Sequence, residues 1–148
     1  MNQHYNLDNS DYGDLALKVK LIAIDEMRHS EMFAERIKEL DGEPTTDPAE
    51  KSIKGQKVDV VFPFDAELED DTIDQYNQFL AICRDNGDSI SAKLFETIID
   101  EEQIHFNYFD NVAEHIATLG AVYLAQMAGT PADTGTPARG FIAAQGAP

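Results

Sequence analysis

Glu26-Met27-Arg28-His29 and Glu102-Gln103-Ile104-His105 carry one pattern twice, Glu-x-x-His, each copy in the middle of a stretch with helical periodicity. A helix turns about 100° per residue, so side chains three apart share a face and each copy sets a carboxylate beside an imidazole. Around the first copy the apolar stripe runs Leu15, Val19, Ile22, then Glu26 and His29, then Phe33, Ile37 and Leu40. Around the second it runs Leu94, Ile98, then Glu102 and His105, then Phe109, Val112, Ile116 and Leu119. Steps of three and four hold throughout, so both Glu/His pairs are predicted to point into a core. A bare carboxylate among Phe and Ile is strongly disfavoured unless its charge is compensated. Two such intrusions facing each other would be worse, and a pair of divalent metal ions between them removes the difficulty.

Outward from these stretches, helical periodicity dominates and strand-like alternation is nearly absent, which predicts an all-α chain. Residues 1–8 read as the end of a helix, closed by Asp8-Asn9-Ser10. A long helix is expected over roughly 11–40, capped by Ser10 or Asp11 and stopped by Gly42 and Pro44. A polar connection follows over 41–62. Its ~20 residues reach at most ~65 Å, enough to run back along a ~45 Å helix, so the helices on either side can be parallel. The next helix is expected to start near Pro63 or Asp65, with the stripe Phe62 or Ala66, Glu69, Ile73, Tyr76, Leu80 and Cys83. Asn86-Gly87-Asp88 predicts a tight turn, so the helix over about 89–119 returns antiparallel until Gly120 breaks it. A short helix is expected from Ala121 to Ala128. The chain thus divides into a helical domain, 1–128, and an extended tail, 129–148, rich in Gly, Pro, Thr and Ala and either disordered or ordered only against a neighbouring subunit.

At 148 residues the bundle is one domain with enough apolar content for a core. Its net charge of −17 argues against nucleic acid and anionic membranes, which call for Lys and Arg clusters. The single cysteine, Cys83, rules out a disulfide framework, a Cys-based zinc site and a Cys-ligated iron–sulfur cluster within one chain, and fits a cytoplasmic setting. The polar, acidic N-terminus lacks the basic segment and apolar run of a signal peptide, and no stretch approaches the ~20 apolar residues of a membrane span.

Glu69 is the third charge intruding into an apolar stripe, one per long helix. Alone it would read as an acid near a helix N-terminus with its charge toward solvent. Its company reverses that reading: three carboxylates and two imidazoles converging in a bundle core match a ligand set for two iron or manganese ions. The metal ligands and catalytic residues expected are therefore Glu26, His29, Glu69, Glu102 and His105.

On these residues the chain resembles the bacterioferritins of the ferritin-like superfamily. The likeness runs to about residue 128 and is sharpest at Ile24-Asp25-Glu26-Met27-Arg28-His29, at Glu35-Arg36-Ile37, and at Asp100-Glu101-Glu102 with His105. The resemblance implies a ferritin-like four-helix bundle with a long crossover and a short fifth helix. It implies bridging by Glu26 and Glu102, terminal ligation by His29 and His105, and a terminal carboxylate from Glu69. The family's first helix supplies a further glutamate that residues 1–8 lack, so the expectation is a truncated first helix, three long helices plus a stub, and five protein ligands.

Met27 lies about 100° off the inward stripe, among Ala23, Ile24, Ser30, Glu31 and Ala34. Its side chain by itself reads as a packing contact, since Met fills irregular gaps. In the family the methionine here is the axial ligand of a haem or related iron porphyrin, paired with its twin across a dimer two-fold. His4 and His115 have no comparable setting, and His115 reads as a surface residue.

The resemblance implies a ferroxidase and iron store. Fe(II) binds as a pair, dioxygen or peroxide takes one electron from each iron, and the product enters a shell of 24 subunits. Haem at the dimer interface then relays electrons for iron release, admitting a ferredoxin-type donor. A second reading is of a haem-carrying assembly and electron-transfer protein whose di-iron centre is incomplete. A rubrerythrin-like peroxidase would need a four-cysteine iron site that one cysteine cannot make.

Overall fold

Both Glu-x-x-His stretches lie in long helices of an all-α bundle. The computed structural model describes residues 1–48, 52–130 and 140–144. Among these, six helices follow in order: α1 (Asn2–Asp8), α2 (Gly13–Glu39), α3 (Val58–Asp85), α4 (Ser89–Leu119), α5 (Ala121–Met127) and α6 (Phe141–Ala144). The all-α expectation holds. The expected truncation of a first helix is not shown: α1 and the long α2 are both present.

The α3–α4 turn follows from its residues. Gly87 adopts φ +72°, where a side chain would be strained, and its N–H donates to Arg84 O at 3.0 Å. Asp88 then caps α4 by accepting from the Ser91 N–H at 3.0 Å. This reverses the chain, so α3 and α4 are antiparallel. On α2 the partners on α4 descend as its own numbers rise, from Arg28 with Glu101 to Arg36 with Ser91 and Asp88. Hence α2 is antiparallel to α4 and parallel to α3. The long connection does make the parallel crossover its length allows.

The core collects the inward stripes. Leu15, Val19, Ile22, Val61, Phe62, Ala66, Phe109 and Val112 are buried, with Val61 and Phe62 wholly so. Each of the Val, Leu, Ile and Phe side chains contributes about 1.5–3 kcal/mol by leaving water. The stripe frays at its ends, where Leu40 and Leu119 are exposed.

Three readings need correction. First, α3 begins at Val58, before the expected Pro63 or Asp65, so Pro63 sits inside the helix. Burial of Val61 and Phe62 carries the helix through the one backbone hydrogen bond Pro63 cannot make. Second, α2 is preceded by Tyr12 at its N-cap, with no side-chain cap bond from Ser10 or Asp11; α1 is fixed on α2 instead by His4, which is fully buried and whose Nδ1–H donates to Ala16 O at 2.8 Å. His115 is on the surface as expected, stacked on Tyr123 at 5.3 Å. Third, residues 140–144 of the expected tail are not extended, because α6 packs on α2 with Phe141 in the core. The rest of that tail beyond Thr130, 131–139 and 145–148, lies outside the described residues.

Candidate metal centre

Helix α2 supplies Glu26 and His29, α3 supplies Glu69, and α4 supplies Glu102 and His105. Glu69, Glu102, His29 and His105 are buried, whereas the Glu26 side chain is 46% exposed although its Oε1 is covered. Glu26, Glu69, Glu102 and His105 each offer a ligand atom within 4.8 Å of the others. The His29 and His105 rings face each other, with centroids 5.8 Å apart.

Each carboxylate of the paired motif divides its two oxygens between the two imidazoles. Glu102 Oε1 lies 3.2 Å from His29 Nδ1, and Glu102 Oε2 lies 3.1 Å from His105 Nδ1. Glu26 Oε1 lies 3.1 Å from His105 Nδ1, and Glu26 Oε2 lies 3.7 Å from His29 Nδ1. Glu69 Oε1 stands 4.0 Å from His105 Nδ1. Both Nδ1 atoms therefore point inward at the carboxylates, and both Nε2 atoms point away.

The outward nitrogens meet a second pair of acids. His29 Nε2–H donates to Glu101 Oε2 at 2.9 Å, and Glu101 is also paired with Arg28. His105 Nε2 lies 3.5 Å from Asp25 Oδ2, and Asp25 is wholly buried. Asp25 and Glu101 each precede a motif glutamate and serve the histidine of the opposite helix. Sequence reasoning assigned neither a role, since each lies about 100° off the inward stripe. The signal was available as an acid-Glu-x-x-His repeat, Asp25 to His29 and Glu101 to His105.

The electrostatics follow from packing these acids together. Burial opposes charge on His29, but hydrogen bonds to Glu102, Glu26 and Glu101 outweigh it and push its pKa up to about 11. The same contest at His105, won by Glu102 and Glu26, gives about 10. Glu26 is raised by burial but lowered further by His105 and His29, to about 2. Glu69, with burial and the charges of Glu26 and Glu102 all raising it, reaches about 9. Protons on the imidazoles thus balance the paired carboxylates. Hard oxygen donors and two imidazole nitrogens fit divalent first-row metal ions, and the His29 Nε2–H bond to Glu101 sets that ring's orientation and tautomer.

Met27 stands apart from this cluster. It is 61% exposed and borders a cavity of about 500 Å³ whose lining includes Glu26, Asp65, Leu68 and Glu69.

The ferritin-like domain model matches residues 1–119, and the chain belongs to that family of helical metal-handling bundles. Within it the chain is a bacterioferritin homologue. It is 58% identical over 144 residues to the bacterioferritin of Desulfovibrio desulfuricans, covering 97% of this chain and 80% of that one. It is 33% identical over 125 residues to the Mycobacterium avium bacterioferritin, covering 84% and 79%. The solved D. desulfuricans structure, which concerns the diiron site in different catalytic states, superposes with a TM-score of 0.89 over 95% of this chain and 82% of that one. Mycobacterium tuberculosis BfrA, 31% identical, superposes with a TM-score of 0.79 over 85% and 80%.

Proposed function

We propose that the chain is a ferroxidase and iron store, taking Fe(II) as substrate at the centre between α2, α3 and α4. The observation that carries this is the division of oxygens: Glu26 and Glu102 each turn one oxygen toward each histidine, as two bridging carboxylates would. In such a centre Glu26 and Glu102 would be shared between two irons, His29 and His105 would each hold one through Nδ1, and Glu69 would supply a further oxygen.

Fe(II) approaches through the cavity bordered by Glu26 and Glu69. Binding displaces the protons held at His29, His105 and Glu69. Two Fe(II) give up one electron each, and two electrons with two protons convert dioxygen to hydrogen peroxide, or peroxide to two waters. Carboxylate donors favour the higher charge of Fe(III) and so drive the oxidation. The product passes to the cavity of an oligomeric shell, for which a 24-mer is the family expectation.

The variant Glu102→Ala with His105→Ala tests the site. Rapid Fe(II) oxidation should be lost, with helicity and assembly retained, and unchanged initial rates would reject it.

Haem binding at Met27 belongs to the same reading. Its thioether is exposed, and Ser30 and Glu31 beside it are exposed too, leaving this face of α2 open to a second copy. Two such copies would offer a pair of thioether sulfurs to hold a haem, and the haem would supply electrons for iron release, with a ferredoxin-type protein as donor. One observation favours a second reading, a haem-carrying assembly and electron-transfer protein with an incomplete centre. Helix α1 brings no glutamate, so five side chains converge at the centre among the described residues. Stoichiometric Fe(II) binding separates the two, since an incomplete centre holds fewer than two ions per chain.

A further inference from the structure

The helix turn near the chain's end lies directly behind one half of the centre. Phe141 is 3% exposed, with its ring 6.1 Å from that of His105 and 5.2 Å from that of Tyr108. Lys18 Nζ lies 5.5 Å from the centre of the same ring. The Ile142 N–H donates to Asp25 Oδ2 at 3.1 Å, and that oxygen is the one 3.5 Å from His105 Nε2. The other oxygen, Asp25 Oδ1, lies so close to Gly140 that an added Cβ would come within 1.8 Å of it. Position 140 therefore requires glycine for the close approach alone.

The two histidines are thus backed differently. Behind His29, Glu101 is fixed by Arg28, a side chain of the same helix as His29. Behind His105, Asp25 accepts a backbone N–H from a residue 117 positions further along the chain. Arg28 Nη1 approaches Asp25 Oδ1 only to 3.7 Å.

We propose that Gly140-Phe141-Ile142 is a positioning clasp for the His105 half of the metal centre. The Ile142 N–H and the close-packed Gly140 hold Asp25 in place, Phe141 keeps water from it, and Asp25 in turn orients the His105 ring. The proposal rests on the reading of His105 as a metal ligand. Outer-sphere partners of this kind are worth roughly 10–100-fold in metal affinity. Because coupling is reciprocal, a metal ion on His105 should also tighten the clasp.

The test is a Co(II) titration of the full chain, with amide exchange at Ile142 followed in parallel. The unaltered protein should bind two Co(II) per chain and show slower Ile142 exchange when loaded; binding of none would reject the metal reading itself, before any variant is made. In Phe141→Ala one of the two affinities should fall by roughly 10–100-fold while the other stays within about twofold. Asp25→Asn should produce the same one-sided loss, and the double variant should be no weaker than Asp25→Asn alone. Phe141→Leu, which keeps apolar cover, should recover most of the loss. Should Phe141→Ala fail to fold, Gly140→Ala decides, since it removes no core side chain and acts on Asp25 directly. Unchanged affinities, equal loss at both sites, or additive losses in the double variant would overturn the clasp.

Discussion

Loading the centre with metal should expel about three protons per chain at pH 7, because three groups that ligate as bases are held as acids in the metal-free protein. His29, at about 11, and His105, at about 10, carry protons that the Glu26 and Glu102 carboxylates stabilise. Glu69, at about 9, stays neutral because burial and two neighbouring carboxylates oppose its charge. Glu26, at about 2, is already ionised and releases nothing. With Co(II) in place of Fe(II), oxidation does not intervene, and calorimetry in buffers of different ionisation enthalpy counts the protons directly. Three protons released imply that the apparent binding constant rises by about a thousandfold per pH unit near neutrality. Glu69→Gln should remove about one proton from the count. Release of fewer than one proton, or an affinity flat between pH 6 and 8, would show that these three groups do not hold protons in the metal-free protein.

Other outcomes follow from the same geometry. The folded-state values of His29 and His105 lie above the ordinary 6.5, so the stability they lend the metal-free chain is complete below pH 6.5 and is lost as pH rises toward 10–11. Thermal melts of chelator-treated protein should show a falling Tm over that window, with metal reversing the trend. Glu101→Ala should weaken one of two metal affinities by about 10–100-fold through the loss of the acceptor behind His29, read by Co(II) titration. Met27→Leu should abolish haem absorbance in reconstituted protein while circular dichroism is retained. Phe62→Ala, at a fully buried position, should cost about 3–5 kcal/mol in chemical denaturation.

Helices α2 and α4 were legible because their stripes persist for seven or more turns, long enough for the 3.6-residue period to declare itself. The same stripes marked Glu26, His29, Glu69, Glu102 and His105 as inward; the structure gathers Glu26, Glu69, Glu102 and His105 within 4.8 Å of one another and sets His29 Nδ1 3.2 Å from Glu102, with the Glu26 side chain half exposed. What escaped lacked a period. Helix α3 starts about one and a half to two turns before the expected Pro63 or Asp65, because Pro63 looks like an opening residue while the burial of Val61 and Phe62 extends the helix past it. Helix α6 is one turn long, too short for any pattern, and owes its place to a contact with Asp25 far away in sequence. His4 was overlooked because its acceptor is a backbone carbonyl on α2, which side-chain patterns do not register.

Glu26 and Glu102, each held between two imidazoles, are placed to share two metal ions. Anomalous diffraction at the iron edge, on crystals of the full chain soaked anaerobically in Fe(II), would locate those ions. Two peaks should appear about 3.5–4 Å apart, each beside one histidine Nδ1, with both carboxylates spanning the pair. A single peak, or ions bound at the outward Nε2 atoms instead, would contradict that sharing.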